Sequence, residues 1–231
     1  MKVPYIDLGA QHQGLKQEIL DRISGLLDSG QFILGDEVKQ FEESFATLCN
    51  VKYALGVANG TDALFLSMMA IGLKEGDEVI TAPNSYLASA SSIALAGAKI
   101  RFAEVRDDYN LDPEKIANSI TPNTKAIIAV HLTGRPAPME EINAIARKHN
   151  LHVIEDCAQA VGATLNGQAV GSFGTTGCFS LHPLKNLSAC GDGGMITTND
   201  TEVYNYLLKA RNHGLKSRDE CEFWSYNSRL D

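Results

Sequence analysis

Between residues 53 and 154 the chain alternates short apolar runs with stretches of helical periodicity, and this alternation constrains the fold more than anything else in the sequence. The apolar runs are 53–58, 78–82, 99–104, 125–132 and 151–154, and helical patterns occupy 62–71, 86–96, 113–120 and 138–149. A strand that rejoins its sheet through a helix makes a crossover. The pattern therefore predicts βαβ units and an α/β fold, with a mostly parallel central sheet covered by helices on both faces.

The two ends read differently. Residues 1–50 read as an N-terminal arm followed by helices: 17–27 places Ile19, Leu20, Ile23, Leu26 and Leu27 on one face, and 36–48 does the same with Val38, Phe41, Phe45 and Leu48. Gly30 and Gly35 punctuate the stretch between them. Beyond residue 160, Leu165-Asn166-Gly167-Gln168 has the wording of a hairpin turn, two strands at 177–181 and 194–198 flank a polar loop, and a helix at 201–211 follows. No repeat or Pro/Gly-rich linker divides the chain, so residues 1–231 read as one unit. At 44% hydrophobic, its 231 residues suffice for one sizeable core.

Charge narrows the possible partners. A net charge of −8 with no basic run argues against nucleic acid and anionic membranes, so any bound phosphate needs a local site. Five scattered cysteines without a C-x-x-C pair give neither a zinc site nor a disulfide framework, and no metal is expected. With no apolar signal core after Met1 and no run of membrane-spanning length, the expectation is a cytoplasmic protein.

Four polar groups stand where strands end, the edge at which parallel α/β sheets collect ligands. Ala58-Asn59-Gly60-Thr61-Asp62 joins a strand to a helix and reads either as a phosphate cradle, with Gly60 admitting an anion to the backbone and Thr61 offering a hydroxyl, or as a helix cap made by Thr61 or Asp62. In Val153-Ile154-Glu155-Asp156 two carboxylates end an apolar strand, so Asp156 needs a cationic or hydrogen-bonding partner, unless it simply caps a helix. Lys185, in Ser180-Leu181-His182-Pro183-Leu184-Lys185, sits in an apolar-flanked loop where desolvation would make it a Schiff-base nucleophile, although most lysines are ordinary surface residues. Gly191-Asp192-Gly193-Gly194 allows backbone geometry that other residues resist, or is merely a tight turn.

Each group is weak alone, but their order resembles that of fold-type I pyridoxal-phosphate enzymes. The wording from Ser180 to Gly194 is similar to that of the DegT/DnrJ/EryC1/StrS family of sugar aminotransferases. So are Pro4-Tyr5-Ile6-Asp7-Leu8, residues 35–45, Asp77-Glu78-Val79-Ile80, His131-Leu132-Thr133-Gly134 and Tyr226-Asn227-Ser228-Arg229-Leu230-Asp231. The resemblance spans essentially the whole chain and implies a large, cofactor-binding domain. The family continues past the point matching Asp231 into a small C-terminal domain, so that domain is expected to be missing or truncated here.

The resemblance also implies roles. Lys185 would form a Schiff base with pyridoxal 5'-phosphate and shuttle a proton, Asp156 would keep the ring nitrogen protonated, and Gln159 would touch the ring or its hydroxyl. Gly60, Thr61 and Ser180 would bind the phosphate. Tyr86 would stack on the ring, against the commoner reading of a core or helix-start tyrosine. Asn227 would reach the phosphate of the other subunit's cofactor, which implies a homodimer with shared active sites.

The implied reaction takes an amino group from L-glutamate, releasing 2-oxoglutarate, and gives it to a nucleotide-linked keto-sugar. The Gly-Asp-Gly-Gly wording points to the 3-amino rather than the 4-amino branch. Three rival readings are a sugar dehydratase of the same family, a non-catalytic regulatory member and a nucleotide-binding Rossmann domain. The dehydratases carry His in place of the Schiff-base Lys, so Lys185 argues against the first. The chain lacks G-x-G-x-x-G after its first strand and G-x-x-x-x-G-K-[ST] anywhere, which argues against the last.

Overall fold

The computed structural model describes residues 3–231, so residues 1 and 2 at the start of the expected arm lie outside the described residues. Helices α1 (Leu8–His12), α2 (Lys16–Ser29) and α3 (Asp36–Cys49) precede strand β1 (Tyr53–Val57). Then come α4 (Gly60–Ala70), β2 (Glu78–Thr81), α5 (Leu87–Leu95), β3 (Lys99–Phe102), α6 (Pro113–Ser119), β4 (Thr124–Val130), α7 (Met139–His149) and β5 (His152–Asp156). A short hairpin, β6 (Thr164–Leu165) and β7 (Gln168–Ala169), precedes β8 (Thr176–Ser180), β9 (Gly194–Thr198) and α8 (Thr201–Ala210).

Seven strands form one sheet in the order β1-β9-β8-β5-β4-β2-β3. The pairs β2–β3, β2–β4, β4–β5 and β5–β8 are parallel, whereas β9 is antiparallel to both β8 and β1. The expectation of a mostly parallel sheet therefore holds, with β9 as the reversed strand.

The two-residue period of a strand distributes the core. In β4, Ala126, Ile128 and Val130 pack with residues of α4, α5 and α8, while Ile127 and Ala129 face α6 and α7. Towards β1 that second face is covered by α3, whose Phe45 meets Phe179 of β8 edge-on. Residues 166–167 make the expected tight hairpin: Asn166 and Gly167 both have positive φ, 51° and 82°, as a two-residue turn of matching twist requires.

Four expectations shift. The strand expected over 151–154 runs to Asp156, because both acidic side chains find hydrogen-bond donors inside. The run expected over 125–132 ends at Val130 and gives way to a 3-10 turn at Leu132–Gly134. The arm contains α1, whose N-terminus is capped by Asp7 accepting from the amide of Ala10 at 2.9 Å; a single short turn offers too little periodicity to be seen in sequence. The helix expected over 17–27 is present as α2, but its apolar face is not buried: Leu20, Ile23 and Leu27 are exposed.

Glu155 shows how the interior is satisfied. It is fully buried, and its Oε1 accepts the amides of Phe173 at 2.8 Å and Gly174 at 2.7 Å, while Oε2 accepts the amide of Gly171 at 2.8 Å. His131, whose Nδ1 accepts the amide of Ala137, turns Nε2–H to Oε2 at 3.0 Å. This carboxylate holds the turn before β8 and the exit of β4 together. His131, Glu155 and Cys157 approach one another closely enough to suggest a metal cluster, but the first two already have their polar atoms engaged. Among the described residues no helix is long and apolar enough to cross a membrane.

Two outcomes are expected. Glu155→Ala leaves three amides and a histidine without an acceptor and destabilises the fold by about 3 kcal/mol or more, measured by denaturant unfolding. Burial raises the Cys49 and Cys178 thiols to about 12 and the Cys157 thiol well above its usual value. Native protein therefore takes up a thiol reagent only at exposed Cys190 and Cys221, and unfolded protein at all five, as peptide mapping would read.

Candidate active site

The parallel strands β2, β5 and β8 end at one edge of the sheet, and the loops that leave them enclose a cleft of about 1010 Å³. Gly60, Thr61, Tyr86, Asp156, Gln159, Ser180 and Lys185 all line it. Residues far apart in sequence thus meet at one place, as the order of motifs led one to expect. Asn227 is the exception: it is exposed and does not line this cleft.

The α4 end of the cleft is built by close contact. Asn59, not Thr61 or Asp62, caps the helix, its Oδ1 accepting the amide of Asp62 at 2.8 Å. The Asn59 carbonyl accepts the amide of Ala63, which leaves the amides of Gly60 and Thr61 as the unclaimed donors of the first turn. A Cβ on Gly60 would lie 2.7 Å from Cβ of Ser180, and one on Gly194 would lie 2.5 Å from the Asn59 carbonyl. Gly194 therefore serves contact rather than a special torsion angle; none of Gly191, Gly193 and Gly194 has positive φ, and a Cβ on Gly191 would meet nothing within 4 Å. The result is an anion cradle of two free amides, a helix dipole and the Thr61 and Ser180 hydroxyls.

Across the cleft stands Asp156. Side chains alternate along β5, so Glu155 and Asp156 point to opposite faces of the sheet. Asp156 has only 6% of its surface exposed. Its Oδ2 accepts from Ser89 of α5 at 2.7 Å and its Oδ1 from the amide of Ala158 at 3.2 Å. The partner that burial demands is thus a hydroxyl and an amide, with no cation among the described residues.

The lysine segment is tied at both ends. Leu181 donates its amide to the Gly193 carbonyl and Ala189 donates to that of Leu181, each at 2.8 Å. The Lys185 amide donates to the His182 carbonyl at 2.8 Å, and the Asn186 side chain donates to the Val161 carbonyl at 2.8 Å. Gln159 uses its side-chain oxygen to accept the Thr133 amide at 2.8 Å, which leaves its NH₂ as the group available to the cleft. Tyr86 stands at the start of α5, as the plainer reading had it, yet it is 78% exposed, not a core residue, and lines the cleft.

Sequence reading missed several neighbours. Ser89 lay inside a small-residue helix with nothing to mark it, whereas Asn59, Thr133, His182 and Asp192 sat within motifs already singled out and became cleft residues only through the fold. One outcome follows from the cradle. Gly60→Ala forces Ser180 and the helix apart, and isothermal titration is expected to show at least tenfold weaker binding of a phosphorylated pyridine to the variant.

Comparison with known proteins gives a consistent picture. The sequence profile of the DegT/DnrJ/EryC1/StrS aminotransferase family matches residues 13–231. A dTDP-3-amino-3,6-dideoxy-alpha-D-galactopyranose transaminase from Aneurinibacillus thermoaerophilus is 49% identical over 230 residues, 99% of this chain and 63% of that protein. A "Pleiotropic regulatory protein" from Geobacillus stearothermophilus is 46% identical over 232 residues, 100% of this chain and 62% of that protein. The crystal structure of DesV from S. venezuelae, in complex with a ketimine intermediate, superposes with a TM-score of 0.96 at 40% identity, covering 99% of this chain and 62% of that one. The chain thus spans less than two thirds of the length of these relatives, and its architecture is the fold-type I arrangement expected from the motif order. With the profile matching all but its first twelve residues, this chain belongs to the DegT/DnrJ/EryC1/StrS aminotransferase family.

Proposed function

We propose that the chain binds pyridoxal 5'-phosphate and forms the cofactor-holding part of an aminotransferase that moves an amino group from L-glutamate to a nucleotide-linked keto-deoxysugar. The observation that carries this reading is the meeting of Lys185, Asp156 and the bare N-terminus of α4 in one cleft. Those residues fit a phosphorylated pyridine aldehyde: an amine, an anion for a ring nitrogen and an anion cradle. When bound, the cofactor supplies an electron sink for a carbanion next to nitrogen.

The chain's own groups do the rest. Lys185 Nζ anchors the cofactor and, as a free amine, moves the proton at the substrate carbon. Asp156 holds a proton on the ring nitrogen, and Gln159 orients the ring through its free NH₂. The Gly60 and Thr61 amides and the Thr61 and Ser180 hydroxyls hold the phosphate, and Tyr86 covers the ring. Released 2-oxoglutarate and an aminated sugar balance the transfer. The 3-amino sugar in the name of the Aneurinibacillus relative supports C3 as the carbon aminated.

Asn227 belongs to this reading as a group for a second subunit. It is exposed, away from its own chain's cleft, and bridged to Asn212, which suits a reach into a partner's site in a homodimer. The acidic chain and the lack of a membrane-crossing helix among the described residues accord with a cytoplasmic enzyme. The regulatory name of the Geobacillus relative favours a second reading, in which the same cleft senses a ligand without turnover.

Addition of pyridoxal phosphate should turn the protein yellow, and borohydride should fix the label on the peptide carrying Lys185. Lys185→Ala should give neither signal. A colourless wild-type protein overturns the reading. Glutamate should then bleach the colour and release 2-oxoglutarate; colour without bleaching selects the sensing alternative.

A further inference from the structure

The Asp156 carboxylate sits at the centre of the site with no cationic partner among the described residues, and its strongest contact comes from outside the motifs: Ser89 Oγ donates to Oδ2 at 2.7 Å. Ser89 is 1% exposed. Its single hydroxyl proton is committed to the carboxylate, so in its 2.7 Å contact with Ser85 Oγ it must be the acceptor. The direction is therefore fixed as Ser85 to Ser89 to Asp156, a chain in which each donation strengthens the next. Ser85 adjoins Tyr86, which lines the cleft, so the relay runs from one wall of the cleft to the acid in another.

We propose that Ser89, supported by Ser85, is a positioning residue that pins Oδ2 of Asp156 and leaves Oδ1 to face the cofactor ring nitrogen. The inference rests on the proposed cofactor reading. The physical reason is geometric. Pinning one oxygen fixes the carboxyl plane, and the other oxygen has only the long 3.2 Å contact from Ala158 to compete with a ring N–H. Two adjacent ionisable groups carry no charge and a third faces away. Cys178, opposite Asp156 on β8, and Cys157, next in sequence, are thiols pushed up by burial and stay neutral, and Glu155 points to the other face of the sheet. Lys185 lies in the cleft beyond and belongs to the cofactor's other end.

The test uses the chain loaded with pyridoxal phosphate carrying ¹⁵N in the ring, and reads the nitrogen chemical shift, the cofactor dissociation constant and the melting temperature of the cofactor-free protein. In Ser89→Ala the ring nitrogen signal should move toward its unprotonated position and cofactor affinity should fall about tenfold, whereas Ser89→Thr, which keeps the hydroxyl, should restore both. Ser85→Ala should move the signal in the same direction by a smaller amount. If Ser89→Ala binds cofactor with an unmoved nitrogen signal, whatever its melting temperature, the proposal is overturned. Should Ser89→Ala fail to fold, Ser85→Ala decides: a shifted signal supports the relay and an unshifted one overturns it. Colour and the borohydride label at Lys185 in the wild type report separately on the cofactor reading, so the two failures are distinguishable.

Discussion

Two neighbouring carboxylates at the end of one buried strand are the constraint around which this structure is arranged. Residues 155 and 156 alternate across the sheet, and each must find donors on its own side or be excluded from the interior. On one face Glu155 gathers three backbone amides and His131, spending its charge on holding loops together. On the other Asp156 receives a serine hydroxyl and one long amide contact, and so keeps capacity for a ligand. The saturated acid is architecture, and the under-saturated one still has acceptor capacity beside the cleft. What separates the two roles is a single step along a strand.

The phosphate end depends on a second kind of constraint, the distance between backbones. α4 begins against Ser180 and Gly194 at separations that no side chain on Gly60 or Gly194 could share. The reversed strand β9 brings Gly194 there, because it runs back beside β8 and delivers its first residue to the edge where the parallel strands end. A contact made this tightly holds the free amides of the helix at a fixed height above the sheet, and anion binding then costs little reorganisation.

Much of this was legible in sequence, and the exceptions have causes. Periodicity gave the crossover pattern, because strands and helices in a doubly covered sheet have little freedom to hide their apolar faces. Asn166-Gly167 gave the hairpin, because the turn needs two positive φ values. Lys185, Asp156 and Gly60 stood out through their neighbours in the chain. Ser89 could not be found in this way, since its significance lies in a partner on a strand far along the sequence, and a serine in a helix of alanines and serines carries no local mark. The cap was misassigned between Thr61 and Asp62 because Asn59, Thr61 and Asp62, three polar residues within four positions, all favour that place and only coordinates choose Asn59. The glycine loop was read for its torsions, and at Gly194 steric distance turned out to be what it supplies.

The stitching of the lysine segment has a consequence for how proteins built this way diversify. Leu181 bonds to both Gly193 and Ala189, so the segment is a closed purse whose drawstring is the β8–β9 pairing itself. The amine stands on its own four-carbon tether, and the loop that carries it is rooted at both ends. Variation in the shape of the cleft is therefore freer in its other walls, such as the turn around Thr133 and the entrance at Tyr86. The sheet fixes where the lysine loop is rooted, while the margins of the cleft belong to separate turns.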